Sequence, residues 1–337
     1  MENEVRLLLK NNLYEDVLKI TESDVNFNNF KNKTVLVTGA GELLGYYLCL
    51  ALLASNDLYA TGIKVIAADR SDGIFKSYGK LTYREDIDFI VGENYSNLTT
   101  VKADYFIHTD IPESDKEITS VLEFIKENKA HSVICFDSSI YGDVFNGRDK
   151  ISETDTGYCD SFNPESTAVQ LQRIFESTAL GMADEFGLDI KSARICRVYG
   201  ALRSKYNRDF IKTVNCVIEK SNIEIGEKDG NLESFIYVTD AAAAVLKILI
   251  EANSGEIFNA ASTNAASTHI IAQYCVKLFE NLKIEIIYKK TPKGLSPMAP
   301  TVKVLDTTRL EKLGFRPSVE LKDGIVMTAK ILYEMKD

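Results

Sequence analysis

The stretch TGAGELLG, residues 38–45, follows a β-branched run and opens an apolar helical segment. Glycines at a strand-to-helix turn allow a tight bend, close approach of a pyrophosphate to the backbone, and close packing of helix on strand. The helix start adds N–H groups without intrahelical partners and the positive end of its dipole. A second buried strand, IKVIAADRS, ends in Asp69, roughly thirty residues downstream. A carboxylate at that point accepts hydrogen bonds from both ribose hydroxyls of NAD and repels the extra phosphate of NADP. The spacing therefore predicts an NAD site built from Gly39, Gly41, Glu42, Leu43, Leu44 and Gly45, with Asp69 and Arg70 at the strand end. The plain structural alternative is an ordinary strand–helix turn.

Such residues need a scaffold of alternating strands and helices, and the chain supplies one. IDFIVGEN and ADYFIHTD read as a third and a fourth strand. ITSVLEFIKEN is helical and leads into the strand SVICFDSS. A long helix covers about 164–186, and DIKSARICRVYG is a further strand. This alternation predicts an α/β fold with a Rossmann-type doubly wound parallel sheet. Right-handed crossovers then put the glycine turn at the carboxyl end of the first strand. Farther on, NIEIGEKDGNLESFIYVTDAAAAVLKILIE reads as strand, turn, strand and helix. GEIFNAAS is another strand, and the last thirty or so residues hold two helices. Three regions are expected: a helical prefix over 1–30, a Rossmann domain over 31–200 whose sheet interleaves with part of the next lobe, and a smaller α/β substrate-binding lobe mainly over 201–337.

Composition narrows the function. The 337 residues are 45% hydrophobic and 26% charged, with a formal net charge of -10. A chain this acidic is a poor polyphosphate clamp, which argues against a nucleic-acid partner. The six cysteines are scattered and form no CxxC pair, as in a reduced cytoplasmic protein. The three histidines, His108, His131 and His269, lie far apart, so no metal site is expected. In the prefix, Val5, Leu8, Leu9, Leu13, Val17 and Leu18 mark an amphipathic helix in two pieces, and its interspersed acids are unlike a signal peptide. No apolar run is long enough to span a bilayer. A soluble, cytoplasmic protein is expected.

Eight segments carry a family resemblance along nearly the whole chain: VLVTGAGELLG, VIAADR, DYFIH, SSIYGD, RICRVYG, FIYVTDAAAAVLKIL, GEIFNAAS and VLDTTRLEKLGFRPSVELKDGI. Together they resemble the extended short-chain dehydrogenase/reductase family, specifically its NAD-dependent nucleotide-sugar epimerases, dehydratases and decarboxylases. The helical prefix also resembles members encoded with polysaccharide genes. The resemblance implies a Rossmann fold, NAD, a nucleotide-sugar substrate and a dimer formed through the helix that carries the catalytic tyrosine. It also implies a tyrosine acting as general acid/base, and a lysine four residues later that lowers its pKa and holds the nicotinamide ribose.

The chemical positions depart from that pattern. Aligning NPESTAVQLQR on the catalytic helix puts Ala168 at the tyrosine and Gln172 at the lysine. No tyrosine in the chain has a lysine four positions on; Tyr199 has Arg203 there, but beyond a strand. The family's sugar-binding serine or threonine is Asp137, with Ser138 adjacent. Its middle glycine is Glu42, either facing a pyrophosphate or turned to solvent in the first helical turn. Its small residues over the cofactor are Thr109 and Asp110, and its diphosphate-binding arginine is Glu233. Arg194 and Arg197 remain as substrate-side cations, or as structural partners of carboxylates.

Three functions stay open. The first is a non-catalytic family member serving as a regulatory or assembly subunit, as a homodimer or as a heterodimer with an active relative. Apolar residues at Val169, Leu171, Ile174, Phe175, Ala179, Leu180 and Met182 supply a helix face for this. The second is an active NAD-dependent enzyme on a nucleotide-linked sugar or alditol, with proton transfer by Asp137, Ser138 or Tyr141. The third is a small-molecule sensor using the old cleft.

Overall fold

The computed structural model describes residues 4–144, 149–202, 208–226, 232–262, 265–289 and 302–336; Arg203 lies outside them. The prefix forms α1 (Glu4–Leu8) and α2 (Asn11–Thr21). There follow β1 (Thr34–Thr38), α3 (Leu43–Tyr59), β2 (Lys64–Asp69), α4 (Gly73–Tyr78), β3 (Ile87–Val91), β4 (Tyr105–His108), α5 (Asp115–Asn128), β5 (His131–Asp137), α6 (Thr167–Phe186), β6 (Ile190–Ile195) and β7 (Arg197–Tyr199). The second half contains α7 (Arg208–Glu219), β8 (Ile223–Gly226), β9 (Leu232–Tyr237), α8 (Val238–Glu251), β10 (Ile257–Ala260), β11 (Ala265–Ala266), α9 (Thr268–Leu278), β12 (Ile286–Lys289), β13 (Val302–Lys303), α10 (Thr308–Lys312) and α11 (Leu321–Lys336).

Seven parallel strands form the central sheet in the order β10-β6-β5-β4-β1-β2-β3. All six residues of β6 are buried, and so are four of the five in β1, because helices cover both faces of the sheet. On one face α3 and α8 pack together; on the other α5 meets α6. This is the doubly wound α/β arrangement that the strand–helix alternation predicts.

The helix α3 is apolar all round, and every residue from Leu43 to Ser55 is buried. A helix with no polar face has to be covered on both sides. The sheet covers one side of α3, and α1, α2 and α8 cover the rest. The prefix is pinned by Asp16, a buried carboxylate on α2. It accepts hydrogen bonds from Tyr47 of α3 at 3.0 Å and Tyr237 of β9 at 2.7 Å, and pairs with Lys19 at 2.9 Å.

One segment differs from its sequence reading. DIKSARICRVYG is not one strand. At Cys196 the backbone N–H turns to Ala260 O at 3.0 Å, and Arg197–Tyr199 leave the central sheet to pair with Phe235–Tyr237 of β9. The segment GEIFNAAS supplies β10, which returns to the central sheet as the neighbour of β6. The long helix starts at Thr167, after a single 3₁₀ turn at Pro164–Ser166, and stops at Gly187 in a left-handed conformation. Among the described residues no helix is long and apolar enough to cross a membrane.

Candidate functional site

A cleft opens at the carboxyl ends of β1, β4, β5 and β6, beside the start of α3. It holds two adjoining cavities that share Ile111, Asp137 and Arg197 as walls. The smaller, about 70 Å³, is mostly apolar and is bordered by Glu42, Leu43, Leu44 and Thr109. The larger, about 330 Å³, is lined by Ser138, Ser139, Glu233 and Lys303.

The glycine turn has the tight geometry its sequence implies. Gly39 sits at φ +67°, where a Cβ would lie 2.6 Å from Thr109 Oγ1. A Cβ on Gly45 would lie 2.3 Å from Gly39 O, so the helix packs on the turn only with glycine there. Asp69 reaches the turn itself: its Oδ2 accepts from Gly41 N at 2.8 Å, while Oδ1 accepts from Ser71 N at 3.1 Å. Glu42 is the residue that precedes α3. It borders the smaller cavity rather than turning wholly to solvent.

Beside this turn lies a buried polar cluster. The Tyr95 hydroxyl accepts from Gly39 N at 2.9 Å and donates to Asp110 Oδ2. Arg70 lies near Asp110, with Nε 3.6 Å from Oδ2. It also donates to Glu113 at 3.0 Å, to Glu117 and to Ile111 O at 2.8 Å. Arg70 is thus held by carboxylates of its own chain. Burial pulls its pKa down, but Asp110 and Glu117 outweigh that and hold it above the ordinary value. Burial, followed by the charge of Asp110, pushes the Tyr95 hydroxyl well above the usual tyrosine range. Asn94 and Tyr95 both adopt left-handed backbone conformations, at φ 53° and 55°. Such a conformation costs roughly 1–3 kcal/mol at a bulky residue, so surrounding contacts must hold it. They do: Ser114, the cap of α5, donates to Asn94 Oδ1 at 2.7 Å and accepts from Glu117 N at 3.3 Å. Behind the cluster, His108 is fully buried, 2.8 Å from Thr38 Oγ1. Burial and then the charge of Arg70 bring its pKa down to about 3, so it is neutral near pH 7.

The α6 positions expected to carry the tyrosine and the lysine hold Ala168 and Gln172. Ala168 is exposed at the start of α6. Gln172 is buried and fully used. Its Oε1 accepts from Asp137 N at 2.8 Å, and its Nε2 donates to Ser139 Oγ at 3.2 Å and to Ala168 O at 3.4 Å. Arg173, the next residue, donates to Ile140 O, Tyr141 O and Gly157 O at 2.8–3.0 Å. This face of α6 therefore clamps the end of β5. Asp137 Oδ1 caps the following turn through Ser139 N at 2.8 Å, while the residue still lines both cavities, with Ser138 beside it in the larger.

Two expected site residues face elsewhere. The Tyr141 hydroxyl is buried and donates to Asn259 Oδ1 at 2.6 Å, and burial, opposed by Arg194, pushes its pKa up to about 12. Tyr141 lines neither of the two cavities. Arg194 forms a buried two-pronged pair with Glu176 of α6, at 2.9 and 2.6 Å, and donates to Glu153 O at 3.0 Å. It too lines neither of the two cavities. Arg197 does reach the cleft, where it pairs with Glu233 across β7 and β9 at 2.5 Å. The anion at Glu233 is thus locally balanced by a cation. Tyr95, Glu117 and Lys303 join these surroundings without a recognisable sequence signal, because each meets a partner distant in the chain. Among the described residues no cluster of three or more His, Cys, Asp or Glu side chains is arranged to hold a metal ion.

A family model described as the NAD dependent epimerase/dehydratase family matches residues 35–261. No curated protein matches the chain. Among solved structures, an epimerase from Methanothermobacter thermautotrophicus superimposes with a TM-score of 0.73 at 19% identity, over 90% of this chain and 93% of that one. A dTDP-glucose 4,6-dehydratase from Bacillus anthracis, in complex with NAD, gives 0.73 at 16% identity over 89% and 96%. A UDP-N-acetylglucosamine 4-epimerase from Methanobrevibacter ruminantium, in complex with UDP-N-acetylmuramic acid, gives 0.72 at 19% identity over 89% and 98%. At these identities the likeness establishes a shared fold.

Proposed function

The chain belongs to the NAD-dependent epimerase/dehydratase family of extended short-chain dehydrogenases/reductases, and on that premise we propose that it is a non-catalytic relative of the nucleotide-sugar-modifying enzymes. One observation carries this reading. Where the family's lysine would stand, Gln172 spends its side chain holding the end of β5, and Ala168 one turn earlier has no titratable group. Hydride transfer in this family has to be accompanied by proton transfer at a sugar hydroxyl, and neither of these two side chains can carry that proton.

As a non-catalytic member, the protein acts in assembly or regulation, as a homodimer or with an active relative near cytoplasmic nucleotide-sugar and polysaccharide synthesis. The helix α6 supports this, since Ile174 is 56% exposed and Phe186 42% exposed on its surface. A second reading has one observation in its favour. Asp137 and Ser138 line the larger cavity together with Lys303 and the Arg197–Glu233 pair, an arrangement that offers two carboxylates and two cations to a nucleotide-linked sugar. The test is turnover of UDP-, GDP-, CDP- and dTDP-sugars with added NAD. We expect none. Turnover that disappears in Asp137→Ala would refute the non-catalytic reading and establish the second.

A further inference from the structure

We propose that the chain has filled its own dinucleotide cradle, with Tyr95, Asp110 and Arg70 standing where the pyrophosphate and ribose side of NAD would be held, and that it therefore does not bind NAD. This goes beyond loss of the proton relay, because a chain lacking that relay can still bind a cofactor.

Four amides of the turn, from Gly39 to Glu42, are already committed. Gly39 N–H goes to the Tyr95 hydroxyl at 2.9 Å, and Ala40 N–H to Ala68 O at 3.1 Å. Gly41 N–H goes to Asp69 at 2.8 Å, and Glu42 N–H to Gly39 O at 3.0 Å. A phosphate at such a turn is held by backbone N–H groups and by the helix dipole. At Gly39 the tyrosine oxygen already acts as the acceptor that a phosphate oxygen would supply.

The charges around the turn point the same way. The Asp110 carboxyl carbon stands 3.0 Å from where a Cβ on Gly39 would be, and Asp69 lies on Gly41. Glu42 borders the cleft ahead of them. A pyrophosphate would add negative charge next to these carboxylates. The nearby cation, Arg70, is shared among Asp110, Glu113 and Glu117. Asp110 and Glu117 are buried, so taking Arg70 from them would leave buried carboxylates without their charge partner. The residues present therefore do not fit the dinucleotide.

The test is calorimetric titration of the full chain with NAD, read as binding and not as turnover. Wild type is expected to show no saturable heat at concentrations up to about 1 mM. The double variant Tyr95→Gly/Asp110→Ala frees Gly39 N–H, removes one carboxylate and places glycine at the left-handed position. It is expected to bind NAD with a Kd of about 100 µM or tighter, where wild type shows no saturable heat. Should circular dichroism show that the double variant is unfolded, Tyr95→Phe decides alone, since it removes only the hydroxyl and is expected to gain detectable binding. Saturable wild-type binding with a Kd below about 1 mM would overturn the proposal, as would folded variants that gain nothing. NAD binding by wild type without sugar turnover would sink this inference and leave the non-catalytic reading standing, whereas NAD-dependent turnover would sink both.

Discussion

Replacing Gln172 by lysine asks whether α6 holds a vacated catalytic position or an occupied structural one. A vacated position would accept the lysine easily. The geometry says otherwise. Lysine has three donors and no acceptor, so the Asp137 N–H that now meets Gln172 Oε1 at 2.8 Å loses its partner. An unsatisfied buried N–H costs about 1–3 kcal/mol. The side chain of residue 172 is also fully buried, so an ammonium there loses solvation, which Asp137 offsets only in part. A net loss of about 3 kcal/mol is expected, dominated by the orphaned amide and the buried charge. For 337 residues, an unfolding entropy of about 2.1 cal/mol/K per residue gives roughly 0.7 kcal/mol/K. The melting temperature should then fall by about 4 °C. Gln172→Met keeps much of the shape without the charge and should fall by less, so the gap between the two variants reports the ammonium. Thermal unfolding followed by circular dichroism, with urea denaturation as a check, reads both. A Gln172→Lys variant that melts within a degree of wild type would refute the clamp, and with it the main support for the non-catalytic reading.

Two other expectations rest on buried groups. Asp16→Ala leaves the hydroxyls of Tyr47 and Tyr237 without their common acceptor, so stability should fall by about 2–4 kcal/mol, and limited proteolysis should cut the prefix before the central domain. His108 has a pKa lowered to about 3 in the folded chain, against an ordinary value of 6.5. Below about pH 6.5 the unfolded chain therefore takes up a proton that the folded chain refuses, and stability should drop by about 1.4 kcal/mol per pH unit as pH falls toward 3. The contribution is complete above pH 6.5. Urea denaturation at several pH values should show this slope reduced by nearly one proton in His108→Gln between about pH 4 and 6; an unchanged slope would show that His108 is not the group responsible.

What the sequence reveals here depends on how far apart the cooperating residues lie. The first strand, the glycine turn and α3 are adjacent in the chain, and their pattern can be read directly. The break between β6 and β7 cannot, because RICRV is continuous in character and the division is made by Ala260 on one side and β9 on the other. Ala168 and Gln172 stand out as departures, yet the work of Gln172 becomes visible only once the end of β5, 35 residues away, is in place. Tyr141 and Arg194 read as available chemistry until Asn259 and Glu176 are seen to occupy them.

The same distance principle binds the departures around the cradle to one another. Asp110 is conspicuous in the sequence, as an acid where a small residue is expected. Tyr95 is not, since ENYS has no periodicity and its hydroxyl meets a backbone amide 56 residues away. The two share a hydrogen bond in the buried cluster, and Arg70 and Glu117 complete the charge arrangement. Asp110 without Tyr95 and Arg70 would be a buried carboxylate lacking both its hydrogen bond and its counter-charge, a loss of about 3–5 kcal/mol by comparison with other broken buried pairs. Tyr95 without Asp110 would have less to hold its left-handed backbone in place. Neither substitution is well tolerated alone, so together they make a single structural change, and the separate costs of Tyr95→Gly and Asp110→Ala should sum to more than the cost of the pair.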